Sequence, residues 1–181
     1  MHFSPKNLRN SYLRFVQKIK LFGLLTLLFV SCADFWTTRV SLKELEIDSL
    51  SQPHTYIYHN KPFTGIIEIS SSQNQLLQEI HILNGIEEGV QKTYDSISGK
   101  LTAEKNISGG ILHGLSTYYW PDGNISQTHE FVQGRLGGKS IFYHKNGQKR
   151  LEMQFSPSGN KTGTWYEYDL RGNIIKETKY D

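Results

Sequence analysis

Glycines recur at a fixed interval through most of the chain, and an interval of two dozen residues admits few architectures. Gly65, Gly89, Gly114, Gly138 and Gly163 are spaced 24, 25, 24 and 25 residues apart. Four residues before the last four of these stand Gly85, Gly110, Gly134 and Gly159, and five residues after them stand Tyr94, Tyr119, Tyr143 and Tyr168. A further glycine follows at Gly99, Gly123, Gly147 and Gly172, and then an apolar or aromatic column at Ile82, Ile107, Phe131, Phe155 and Tyr180. Columns that hold register over this length describe one structural unit written several times.

Each unit reads as a β-hairpin. Leu115, Thr117 and Tyr119 alternate with Ser116, Tyr118 and Trp120, the period of a strand with two different faces. Pro121-Asp122-Gly123 and Asn146-Gly147 supply the residues that accept positive φ in tight turns. The paired glycines of each Gly-x-x-x-Gly are expected to form the opposite turn. The fold class is therefore all-β: an elongated antiparallel meander of stacked hairpins, with repeats starting near 62, 85, 110, 134 and 159. The tyrosine column is expected to form a ladder of like side chains along the sheet. In the first unit SSSQNQ, Ser70 to Gln75, replaces the glycine turn, which suggests a cap or a longer loop.

Gly-x-x-x-Gly followed by a short aromatic strand and Asn-Gly or Asp-Gly resembles the bacterial MORN-repeat variant. With the lead-in YIYHNKPFTG, Tyr56 to Gly65, the chain from about Val40 to Asp181 looks like the group labelled YwqK-family antitoxins. The resemblance implies a repeat fold over residues 56–181 and, through its label, a neutralising partner. It brings no catalytic residues, since repeat folds host unrelated tasks.

Residues 1–31 have the parts of an export signal: Lys6, Arg9, Arg14, Lys18 and Lys20, then the apolar run LFGLLTLLFV from Leu21 to Val30. A bilayer-spanning helix needs about 20 apolar residues, so this run is too short to be one. Directly after it stands Cys32, the only cysteine. FVSC preceded by Leu28 resembles the lipobox of bacterial lipoproteins, which implies lipidation of Cys32, attachment to a membrane and residence in the cell envelope. Residues 32–55 are read as a tether and lead-in, with Ser41 and Glu44 spaced for a capping box and an added strand as the alternative. Without the five leader cations, 15 basic residues face 17 acidic ones, so the charge gives no reason to expect nucleic acid.

Nothing in the repeats has catalytic or metal-binding spacing. His113, His129 and His144 fall in different columns, and no His-Glu-x-x-His is present. Ser116, His113 and Asp122 lack the nucleophile elbow a triad requires. No enzyme activity, cofactor or metal is expected. The residues suited to binding a protein or envelope polymer are the aromatics outside the repeat columns, Tyr118, Trp120, Trp165 and Tyr166. Beside them lies a basic stretch without acidic residues that includes Arg135, Lys139, Lys145, Lys149 and Arg150, which strand alternation should divide between two faces. A scaffold for such a partner is the leading function, and toxin neutralisation is the second.

Overall fold

The computed structural model describes residues 38–181; the leader and Cys32 lie outside the described residues. Fifteen strands follow one another with one 3₁₀ turn and no longer helix among these residues. The main sheet contains β1 (Arg39–Ser41), β5 (Gly65–Ser70), β6 (Leu76–Leu83), β8 (Gly89–Tyr94), β9 (Leu101–Ser108), β10 (Ile111–Tyr119), β11 (Ile125–Val132), β12 (Arg135–Tyr143), β13 (Lys149–Phe155), β14 (Lys161–Tyr168) and β15 (Ile174–Tyr180), in that spatial order. The short β7 (Ile86–Glu87) pairs with β6 off this path. From β5 onward the pairing is antiparallel and follows chain order, as the repeat pattern predicts; β1 alone joins in parallel, against β5.

The hairpin turns repeat as closely as the sequence does. At one end of the units a type I turn closes with a glycine in the left-handed region, as where Gly123 N donates to Trp120 O and Trp120 N to Asn124 O. The first unit makes this same turn without glycine. Asn74 takes φ 60° and donates to Ser71 O, while Ser71 N donates to Gln75 O, so SSSQNQ forms a loop no longer than its counterparts. Asparagine is among the few residues that tolerate the left-handed region.

The opposite turns correct the expectation for Gly-x-x-x-Gly. Only the first glycine of each pair turns the chain, as at Gln133-Gly134, where both residues have positive φ. The second lies inside a strand: Gly114 in β10, Gly138 in β12 and Gly163 in β14. The pairing slips in these stretches, between Leu112 and Ser116 on β10 and between His129 and Phe131 opposite β12. At Gly138, with φ 134°, a Cβ would run into the Glu130 side chain, whose carboxylate accepts the Lys139 backbone N–H. The repeating glycine is thus a place where the strand is kinked and a neighbouring side chain crosses close to the backbone.

A conventional core exists at one end of the sheet. Val40, Phe63, Ile67, Ile80 and Ile82 are buried together, with Leu42, Leu45, Tyr56, Tyr58 and Ile69 packed against them. The cover comes from the lead-in, which folds as β2 (Glu46–Asp48), β3 (Thr55–Tyr58) and β4 (Lys61–Pro62) in a second, three-stranded sheet. Ser41 caps the 3₁₀ turn Leu42–Glu44 in the capping box expected from the sequence, and Val40 contributes to the core from the added strand β1. Beyond β9 no second layer covers the sheet among the described residues, and each hairpin is held chiefly by its neighbours.

Candidate interaction surface

Strand alternation and the pairing registers assign every side chain from β9 to β15 to one of two faces, because directly opposed residues share a face. One row runs Glu104, Thr117, Thr128, Ile141, Glu152, Tyr166 and Glu177. The next runs Ala103, Tyr118, Gln127, Phe142, Leu151, Glu167 and Lys176 and lies on the other side of the sheet. A third, Lys105, Ser116, His129, Ser140 and Met153, shares that side.

The first face neutralises its own charge. Tyr94 Oη donates to Glu79 Oε2 at 2.7 Å, Tyr119 Oη to Glu104 Oε2 at 2.6 Å and Tyr168 Oη to Glu152 Oε2 at 3.2 Å. Three of the four column tyrosines, Tyr94, Tyr119 and Tyr168, are thus bonded to glutamates and not stacked on one another, so the expected ladder of like side chains does not form. Glu152 also pairs with Lys149 at 2.6 Å and Lys139 at 3.4 Å, and Arg39 bridges Glu68 and Glu79. Lys139, Lys149 and Tyr166 accordingly belong to this face.

These contacts shift the titrations. Burial and the hydrogen bond to Glu79 push Tyr94 up to about 12, and burial with Glu87 does the same to Tyr56. For Tyr119, also about 12, the bond to Glu104 is the larger cause and burial the second. Burial alone would raise Glu79 and Glu152. Hydrogen bonds from Arg39 and Tyr94 in one case, and Lys149 in the other, outweigh it and leave both carboxyls below their ordinary value. A phenol raised on folding contributes stability that is intact below its unfolded value near 10 and disappears as pH rises through 12. A carboxyl lowered on folding contributes stability present above its unfolded value near 4.5 and lost as pH falls through the folded one. Urea unfolding across pH should therefore show a plateau bounded by these two losses. Absorbance titration should find Tyr56, Tyr94 and Tyr119 ionising near pH 12, above the ordinary phenol value. A single tyrosine transition near 10 would contradict these bonds.

The second face is aromatic and carries cations over its rings. Tyr118, Phe131 and Phe142 surround His129, with ring centroids 5.6, 6.4 and 5.3 Å away. Burial lowers the His129 pKa, and the ring accepts at Nδ1 from the Ser140 hydroxyl while Nε2 donates to Gln127 Oε1. Further along, Trp165 packs between Phe155 and Tyr180, at 5.3 and 4.5 Å, and its Nε1 donates to Gln154 O. Ser116 and Ser140 are fully buried in this open sheet because larger neighbours close over them. That burial removes Ser116 from any triad with the exposed His113.

Four cations here lie over rings and pair with no carboxylate among the described residues, while Lys176, on the same side by register, pairs with Glu167. Lys161 Nζ sits 4.8 Å from the Trp165 centroid and 5.1 Å from Tyr180, Lys145 Nζ 5.8 Å from Trp120, Arg150 5.5 Å from Phe142 and Lys105 6.0 Å from Tyr118. Contacts of this kind contribute about 0.5–1 kcal/mol where exposed. Between Trp120 and Phe142 the surface dips into a hollow of about 370 Å³, lined also by Gln127, His144, Lys145 and Arg150. The Trp120 Nε1 atom is buried beside it with no hydrogen-bond partner.

Of the residues singled out from the sequence, Tyr118, Trp120 and Trp165 thus share one face, Tyr166, Lys139 and Lys149 lie on the other, and Arg135 flanks the Gly159 turn. The glutamate column is a feature that turn and strand patterns alone do not single out. Glu79, Glu104 and Glu152 each stand 15 or 16 residues before a repeat tyrosine, a signal present in the sequence.

No curated protein matches the chain. Two solved structures are similar at 14% identity and a TM-score of 0.27. One is a mutant of TarM of S. aureus in complex with fondaparinux, alpha-GlcNAc-glycerol and UDP, covering 76% of this chain and 22% of that one. The other is the GtfA/B complex bound to UDP and GlcNAc, covering 75% and 24%. The chain spans less than a quarter of the length of either, and at that score neither fold nor activity transfers. Residues 112–133 and 136–156 match the family model of the MORN repeat variant, one segment for the β10–β11 hairpin and one for β12–β13.

Proposed function

We propose that this chain is a non-enzymatic binding scaffold, lipid-anchored through Cys32 in the cell envelope, whose aromatic face takes a partner. The observation that carries the reading is the unequal treatment of charge by the two faces. One pairs Lys139 and Lys149 with Glu152, whereas the other, apart from the Lys176–Glu167 pair at its far end, leaves Lys105, Lys145, Arg150 and Lys161 over half-buried aromatic rings without carboxylates. A face meant only for solvent gains nothing from concentrating rings, while binding surfaces are enriched in aromatic residues and arginine. Toxin neutralisation by direct binding would use the same face, with an envelope-acting toxin as the partner.

The anchor and the face are tested separately. Replacing Cys32→Ala should move the chain from the membrane fraction to the soluble one and block processing; unchanged attachment removes the anchor from the proposal. Replacing Trp120→Ala together with Trp165→Ala should abolish crosslinks to the envelope partner, while Tyr166→Ala on the opposite face leaves them in place. Retention of the crosslinks in the double variant would contradict the choice of face.

A further inference from the structure

Resting on that reading, we propose that the hollow between Trp120 and Phe142 is a subsite for a carboxylate-bearing sugar, and that the partner of this face is an acidic polysaccharide. The chemistry of the lining selects this class. Lys145 and Arg150 supply two cations with no carboxylate partner among the described residues, so an incoming anion displaces no existing ion pair. The remaining walls are aromatic, from Trp120, Phe142 and Tyr143, or hydrogen-bonding, from Ser126, Gln127 and His144. No aliphatic and no acidic side chain lines the hollow. An acyl chain would find no aliphatic wall, and a bare anion would have no use for three aromatic rings. A pyranose offers apolar C–H groups to the rings, hydroxyls to the amide and imidazole, and its carboxylate to the Arg150 fork.

The rest of the face extends the argument to a polymer. Trp165 with Tyr180 and Lys161 repeats the ring-and-cation arrangement on the same side of the sheet. Trp165 lies on β14 and Trp120 directly follows β10, four strands away, so the two are separated by at least about 19 Å at the usual inter-strand spacing. A chain of several acidic sugars spans that distance, and a single sugar does not.

The test uses the full chain in detergent micelles, titrated calorimetrically with oligogalacturonate, with its methyl-esterified form and with inorganic polyphosphate. Oligogalacturonate should bind, and esterification should weaken binding roughly tenfold or more, as expected for losing charge-assisted hydrogen bonds. Lys145→Gln combined with Arg150→Gln should weaken it to the same degree. Lys176→Gln, which alters a cation already paired with Glu167, should leave it unchanged. Both cations in the hollow are exposed, and unaltered circular dichroism would confirm that the variants fold. Equal affinity for the esterified form, binding of polyphosphate as tight as that of oligogalacturonate, or indifference to the double variant would each overturn the assignment. Should no acidic sugar bind while the envelope crosslinks still depend on Trp120 and Trp165, the subsite fails and the scaffold stands. Should the sugar bind while those crosslinks ignore both tryptophans, the subsite stands and the scaffold reading fails.

Discussion

Gly65→Val is expected to destabilise the chain by about 3–5 kcal/mol, enough to remove most of the stability of a typical domain. Gly65 has φ 155°, and a Cβ there would meet the Phe63 ring at 2.6 Å and press into the Thr38 carbonyl oxygen. That oxygen accepts the Ile66 backbone N–H at 2.9 Å and so belongs to the seam that adds β1 to the sheet. Backbone cannot retreat as a flexible side chain can, and Phe63 belongs to the buried core. The substitution therefore damages strand pairing and core together. Gly123→Ala is the matched control: its φ is 92° but nothing lies within 4 Å of the added carbon, so only the left-handed penalty of about 1–2 kcal/mol applies. Urea unfolding of the two variants beside the parent chain should show this order, and similar losses at both positions would mean that Gly65 is not in close contact.

Ile67→Ala should cost about 2–5 kcal/mol, the usual range for truncating a buried aliphatic side chain without collapse of the space it leaves. Ile67 is fully buried and packs within the cluster of Val40, Phe63, Ile80 and Ile82. Leu115→Ala, at a position 47% exposed on an uncovered part of the sheet, should change stability by no more than about 0.5 kcal/mol. The contrast follows from where the second layer lies. β2, β3 and β4 cover one end of the main sheet, whereas the hairpins from β9 onward depend on pairing with their neighbours. A large loss at Leu115 would show a covering layer that the described residues do not contain.

The hairpin architecture was legible because its signals are local. Turn glycines and the alternation of Leu115 to Trp120 act within a few residues, and both are visible as columns. Gly114 and Gly138 were misplaced as turns because a strand glycine kinked by a bulge and a turn glycine look alike in sequence, and only the close approach of Glu130 to Gly138 distinguishes them. Asn74 was passed over because the turn requires a conformation, and asparagine satisfies it as glycine does. The faces were harder to read. Each hairpin turn shifts the register by one residue immediately before the repeat tyrosine, as between Tyr118 and Tyr119, Phe142 and Tyr143, and Glu167 and Tyr168. Parity counted straight through the chain therefore fails at every turn. Trp165 and Tyr166 were grouped by composition, yet as adjacent residues in one strand they must point to opposite sides.

The account turns on the aromatic face being the one that meets a partner, and site-specific photocrosslinking from both faces tests this most directly. A photoreactive residue would be placed in the full chain, expressed in its native cells, at Phe142 or Leu151 on the aromatic side and at Ile141 or Tyr166 on the other. The account predicts adducts from Phe142 and Leu151 and none above background from Ile141 and Tyr166. Adducts confined to Ile141 and Tyr166, or equal from both faces, would contradict it.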